Sequence, residues 1–232
     1  AGIIPAGLEM MDRYAIQAAE AFVHAGYPDN AEAILLCELD GVNEEVSEQI
    51  HAVRQLLKEG GATEVRTAKD NAERELMWKG RKAAFPAVGR LSPDYYCMDG
   101  TIPRKQLATV LKRMNEMSQE YNLPVANVFH AGDGNLHPLI LYDANKPGEL
   151  ERTEEFGGKI LELCVEVGGT ITGENGVGVE KIDQMCVQFK PLELQQFHAV
   201  KKAFDPDGLL NPGKAVPTLH RCAELGAMHV HN

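Results

Sequence analysis

Apolar positions recur at helical spacing in several stretches of the chain, separated by shorter runs that suit strands. Behind Asp12, Ile16, Ala19, Phe22 and Val23 fall on one face, which predicts a helix capped by Asp12 and ended by Gly26. Residues 33–39 form a short apolar run and read as a buried strand. From about Asn43 a second helix carries Val46, Ile50, Val53 and Leu57 on one face and stops at Gly60-Gly61. Residues 64–68 suit an edge strand, residues 70–84 a third helix, and residues 95–102 a further strand. Pro103 suits a first helical turn, ahead of the stripe Leu107, Val110, Met114, Met117 and Tyr121, whose methionines read as core. A hairpin, a helix over residues 148–167 and a glycine-rich segment over residues 168–178 follow. Helices and strands share a rhythm before residue 145, without a sequence repeat. The pattern predicts an α+β fold, an antiparallel sheet covered by helices, with a parallel α/β sheet as the alternative.

The hairpin carries the first candidate chemistry. In FHAGDGNLHP, Asp133-Gly134 between apolar runs signals a two-residue turn, because such a turn requires positive φ. Counting outward opposes His130 to His137, with Cβ atoms roughly 5 Å apart, a separation from which two imidazoles can converge on one cation. Two histidines packing across a ladder would give the same pattern. The segment GGTITGENGVG contains five glycines but lacks the Lys-Ser/Thr of a phosphate loop and the spacing of a dinucleotide fingerprint. It reads as a turn presenting Glu174 and Asn175. Glu174 would complete two imidazoles and a carboxylate with an open position, although a solvated loop glutamate fits the spacing equally.

Composition narrows the partners. The 232 residues are 44% hydrophobic, enough for a substantial core, and the formal net charge of −11 argues against a nucleic acid or an anionic membrane as a broad-surface partner. A small anion held by one or two arginines remains compatible. Cys37, Cys97, Cys164, Cys186 and Cys222 lie far apart with no Cys-x-x-Cys, so neither a disulfide framework nor a thiolate zinc site is expected, and a reducing cytoplasmic setting fits. No apolar run approaches the roughly 20 residues needed to span a bilayer, and the N-terminus lacks a signal-peptide pattern. Starting at Ala1 rather than methionine, the chain is expected to be a piece of something longer. His220, His229 and His231 sit in a tail from Ala215 and read as solvent-exposed rather than metal-binding.

YYCMDGTIPR, FHAGDGNLHP, GGTITGENGVG and FDPDGLLNPGK, in this order, closely resemble the C-terminal domain of FAD-linked 2-hydroxyacid oxidoreductases of the vanillyl-alcohol-oxidase type. That family includes the D subunit of glycolate oxidase and D-lactate and D-2-hydroxyglutarate dehydrogenases. The resemblance implies a ferredoxin-like cap over residues 1–214 on the substrate and flavin side, a C-terminal helical segment, a tail over residues 215–232, and an FAD-binding N-terminal domain absent from this chain. It implies oxidation of glycolate or D-lactate to the 2-oxoacid with hydride passing to FAD, and a catalytically silent fragment in isolation. His130, His137 and Glu174 match divalent-metal ligands, usually zinc, and Arg81 matches a clamp for the substrate carboxylate. Asn211 and Lys214 match the segment brought against the isoalloxazine ring. One position departs: many relatives carry a histidine as general base where this chain has Asn175, and a neutral amide cannot accept the proton. The resemblance further implies a flavin-like and an iron-sulfur partner subunit, and a cytoplasmic protein peripheral at the inner face of the membrane through them. Two readings of another class stand beside it: a metal-dependent hydrolase using the same His-His-Glu set, and a non-catalytic subunit-interaction module.

Overall fold

The computed structural model describes residues 2–218 and residue 222. The chain divides into two compact units, Ala1–Ser92 with Ala126–Gly132, and Pro93–Val125 with Asp133–Asn232.

The first unit is built on β1 (Gly7–Asp12), which pairs antiparallel with β2 (Ala33–Glu38) along its whole length. On its other side β1 meets β5 (Val125–His130), with Met10 opposite Phe129 and Glu9 opposite His130. Leu8-Glu9-Met10-Met11 has no clean period-two alternation, so local pattern does not predict β1. Its last residue starts α1 (Arg13–Val23): Asp12 Oδ1 accepts the Ala15 N–H at 3.0 Å, as the cap predicts. Asp12 Oδ2 accepts the Asn127 backbone and side-chain N–H groups at 2.9 and 2.8 Å, so one carboxylate ties the helix start to β5. Ala15, Ile16, Ala18 and Ala19 form the buried face of α1, while Phe22 of the expected face is exposed, with the Arg90 guanidinium over its ring. The helix ends earlier than expected, at a left-handed His24 whose N–H returns to Glu20 O.

The run at residues 33–39 is a half-exposed strand rather than a buried one, because β1 flanks β2 at the end of the strand order. α2 (Asn43–Glu59) starts and stops as its pattern predicts, yet none of its residues is fully buried. It stands over a cavity of about 430 Å³ whose lining includes Leu35, Val46, Ile50, Leu57 and Trp78. Residues 64–68 are irregular rather than an edge strand; Arg66 Nη1 reaches the Gly26 carbonyl at 2.8 Å, an anchor made by a side chain instead of a ladder. Asp70 caps α3 (Asn71–Lys82), and α4 (Ala84–Val88) follows.

In the second unit the expected strand at residues 95–102 is broken into β3 (Asp94–Cys97) and β4 (Gly100–Thr101) at Met98-Asp99. The break turns Asp99 inward, where its carboxylate serves a loop described below. β3 pairs antiparallel with β7 (Pro138–Tyr142), and β4 with β6 (Asn135–Leu136). The antiparallel pairings bear out the α+β expectation. α5 (Leu107–Tyr121) buries Val110, Met114 and Met117 of the predicted stripe, while Leu107 and Tyr121 at its ends are half-buried. α6 (Glu149–Glu166) buries Phe156, Ile160 and Leu161, and α7 (Ile182–Gln188) and α8 (Pro191–Phe204) supply the C-terminal helical segment. Met98, Leu161, Ile171, Met185 and Leu194 form a buried cluster together with Cys186 and Cys222.

Those two cysteines form a disulfide across 36 residues, against the expectation of no disulfide. Packing of distant segments brings their Cα atoms to 5.3 Å, which sequence spacing does not encode. The hairpin also differs from the expected two-residue turn. Residues 131–134 form a longer turn, and the Asn135 N–H bonds Asp133 Oδ1 at 2.9 Å. The Ile102 N–H bonds Gly134 O at 3.0 Å. Gly134 keeps the expected positive φ, +85°, and a Cβ there would meet Ile102 O at 2.2 Å. His137 therefore sits between β6 and β7 rather than in a ladder opposite His130. His220, His229 and His231 lie outside the described residues.

Candidate functional site

In the second unit, β6 and the Pro138 that follows hold His137, which is 5% exposed. Its Nε2 lies 3.4 Å from Glu174 Oε2 and 3.7 Å from Asp99 Oδ1. Glu174 reaches this point from a loop without regular structure, and its side chain is 57% exposed. Asp99 holds that loop. Its carboxylate accepts the backbone N–H groups of Gly173, Glu174 and Asn175 at 3.3, 3.0 and 2.7 Å and the Thr172 hydroxyl at 3.2 Å. The buried Lys181 ammonium lies 3.1 Å from Asp99 Oδ2 and also donates to Thr172 Oγ1 at 3.2 Å. Burial pushes the Asp99 carboxyl up, but the two backbone donors from Glu174 and Asn175 and the Lys181 cation outweigh it and hold it below the usual aspartate range. Gly173 fits closely: a Cβ there would meet Asn135 Oδ1 at 2.5 Å. A buried imidazole nitrogen and an exposed carboxylate thus converge on one point, a donor pair suited to sharing a cation or a proton.

In the first unit, β1 and β5 place Glu9 opposite His130, and Glu9 Oε1 lies 2.8 Å from His130 Nδ1. The other Glu9 oxygen accepts from Arg81 Nε and Nη2 at 3.1 and 2.7 Å. α3 delivers Arg81 in its last turn, where the residue is 8% exposed, so it is buried rather than a surface arginine. The side chains of Arg81 and Glu9 retain only 9% and 13% exposure.

The expected site residues thus fall into two groups, His137 and Glu174 brought together in one unit and Arg81 and His130 joined through Glu9 in the other. Asn175 is exposed, and its N–H is bonded to Asp99. Asn211 and Lys214 are exposed, in a segment where Asn211 takes a left-handed φ of 46° and accepts the Lys214 N–H at 3.3 Å. Sequence reasoning passed over Glu9, Asp99 and Lys181. The signal available for the two acids was a single charge inside a short apolar run, Leu8-Glu9-Met10 and Met98-Asp99, since a carboxylate is buried only when paired. Burial pushes the thiols of Cys97 and Cys164 up to about 12, so both remain protonated near neutrality.

The sequence profile of the family described as FAD linked oxidases, C-terminal domain, matches residues 1–215. The chain belongs to this family. It is 69% identical over 231 residues to glycolate oxidase subunit GlcD of Escherichia coli K12, covering 100% of this chain and 46% of that protein. Glycolate oxidase subunit GlcD of Bacillus subtilis is 38% identical, covering 92% of this chain and 46% of the relative. A probable mitochondrial D-lactate dehydrogenase of Danio rerio is 29% identical, covering 93% and 44%. The chain therefore spans about half the length of these relatives. Among solved structures, p-cresol methylhydroxylase with substrate bound aligns with a TM-score of 0.65 at 15% identity, covering 92% of this chain and 47% of that one. This likeness shows the shared fold.

Proposed function

We propose that this chain is the substrate-side, flavin-capping domain of an FAD-dependent 2-hydroxyacid oxidoreductase that converts glycolate or D-lactate to the 2-oxoacid. Similarity to a glycolate oxidase subunit over the whole chain carries the assignment. FAD is held mainly by the part of the protein that this chain does not span, and the exposed segment with Asn211 and Lys214 meets the flavin ring.

His130, His137 and Glu174 hold a divalent cation in this proposal. The 3.4 Å between His137 Nε2 and Glu174 Oε2 suits two ligands of one ion, since zinc bonds to nitrogen and oxygen are each about 2.0–2.2 Å. Imidazole and carboxylate donors with an open position match zinc chemistry. When bound, the cation would polarise the substrate hydroxyl and carboxylate. Arg81, its guanidinium fixed in one plane by Glu9, binds the substrate carboxylate. Asn175 hydrogen-bonds the substrate without taking its proton, because an amide lacks a basic lone pair at neutral pH. The proposal extends to two partner subunits, one flavin-like and one carrying iron-sulfur clusters, which hold a cytoplasmic protein at the inner face of the membrane. Among the described residues no helix is long and apolar enough to cross a membrane.

Anaerobic addition of glycolate or D-lactate to the full-length protein carrying this domain should bleach its oxidised-flavin absorbance. A flavin that stays oxidised with both acids, and with D-2-hydroxyglutarate, would overturn the assignment.

A further inference from the structure

Arg81 and His130 lie 49 positions apart in the chain, yet one side chain joins them. Glu9 uses one oxygen for the guanidinium, at 3.1 and 2.7 Å, and the other for the imidazole, at 2.8 Å. The three groups form a continuous cation–carboxylate–imidazole line within one unit. Both Arg81 and Glu9 are largely withdrawn from water, and β-register fixes the base of the Glu9 side chain directly across from His130.

A carboxylate is an acceptor only, so the Nδ1 it faces must carry the ring proton. In a neutral imidazole the lone pair then resides on Nε2, which is the nitrogen able to ligate a cation. Arg81 makes this choice durable. Its two N–H donors hold Glu9 Oε2, which stops the carboxylate rotating away from the ring.

We propose that Glu9, held by Arg81, is a positioning residue that fixes His130 as the Nδ1–H tautomer and aims Nε2 at the cation. This deepens the reading of His130 as a cation ligand and rests on it. It also gives Arg81 a task in the absence of substrate: acting through Glu9 on the histidine. Carboxylate partners of metal-binding histidines typically change affinity about 10–100-fold when removed.

The test uses the 232-residue chain, with zinc as the probe, and two readouts. Long-range 1H–15N spectra at a pH where the ring is neutral should give His130 the Nδ1–H pattern. Glu9→Ala should convert it toward Nε2–H and weaken zinc binding by about 10–100-fold. Glu9→Gln, which keeps an acceptor oxygen, should retain much of the Nδ1–H form, and Arg81→Met should give a mixture. These two variants read the same quantities if Glu9→Ala fails to fold. A purely structural role would not produce rescue by glutamine in the tautomer pattern. An Nε2–H pattern in the parent, or a pattern indifferent to Glu9 in folded variants, overturns the proposal. If the parent binds no zinc while its tautomer still follows Glu9, the positioning role stands and the cation reading falls. If zinc binds and neither readout responds to Glu9, the cation reading stands and the positioning role falls.

Discussion

In the first unit the buried carboxylate lies directly against the histidine: Glu9 is 2.8 Å from His130 and is itself gripped by Arg81. In the second unit the corresponding carboxylate stands off: Asp99 is 3.7 Å from His137 and directs its oxygens to three backbone N–H groups and to Lys181. The parts are the same, a buried cation, a carboxylate and an imidazole, but the geometry assigns different work. Glu9 starts on a strand whose register already faces His130, so its longer side chain can orient a ring. Asp99 starts at a break between two strands, and its short side chain reaches the backbone of the loop that carries Glu174. One unit controls the direction of a ring nitrogen and the other the position of a loop.

The largest expected effect comes from separating Asp99 and Lys181. Asp99→Ala leaves a buried ammonium without its counter-charge and removes the acceptor for the loop, and should cost about 3–5 kcal/mol in denaturant unfolding. Lys181→Met should cost less, because Asp99 keeps its backbone donors. In the double variant the penalty should fall below that of Asp99→Ala, since no buried charge remains uncompensated. Equal, additive losses would show that the pair is not coupled as described.

Gly173→Ala sharpens the same contrast at smaller cost. A methyl group would press on Asn135 Oδ1 at 2.5 Å, so the loop must shift, at roughly 1–3 kcal/mol. Calorimetry should register the loss, while the Arg81–Glu9–His130 line in the other unit should keep its NMR signature.

Two buried aspartates should separate by their titration. Burial raises Asp12, and the hydrogen bonds from Ala15 and Asn127 do not offset it; in Asp99 the backbone donors and Lys181 win against burial. Carboxyl 13C shifts should therefore place Asp12 above the ordinary 3.8 and Asp99 below it. The signs for stability are opposite. The Asp99 contribution is present above 3.8 and lost as pH falls through its lower folded value. That of Asp12 is present below 3.8 and lost as pH rises through its higher folded value. Coincident titrations would remove the distinction.

Helices with long apolar stripes are largely legible in the amino-acid sequence alone: Ile16 and Ala19 of α1, the centre of the α5 stripe, the Asp12 cap and the glycine stop of α2 follow from local periodicity and capping, whereas Phe22 of the expected α1 face is exposed. The strands are harder to read. β1 has no alternation, β2 is an edge, and the strand at residues 95–102 is interrupted because Asp99 serves the loop at Gly173, a contact made 74 residues away. The candidate ligands are legible because histidines, glycines and an acid cluster in two short motifs. Their supports are not, since Glu9, Asp99 and Lys181 matter through burial and partners distant in sequence. The Cys186–Cys222 disulfide escapes for the same reason.

The central proposal, that His130, His137 and Glu174 are ligands of one divalent cation, is tested most directly by calorimetric zinc titration. His220, His229 and His231 should be replaced by asparagine in every protein compared, to remove competing tail ligands. One site is expected in the parent, and a loss of roughly 10-fold or more for each of His130→Ala, His137→Ala and Glu174→Ala, because a three-ligand site has no spare donor. Unchanged zinc affinity in the three folded variants would contradict it.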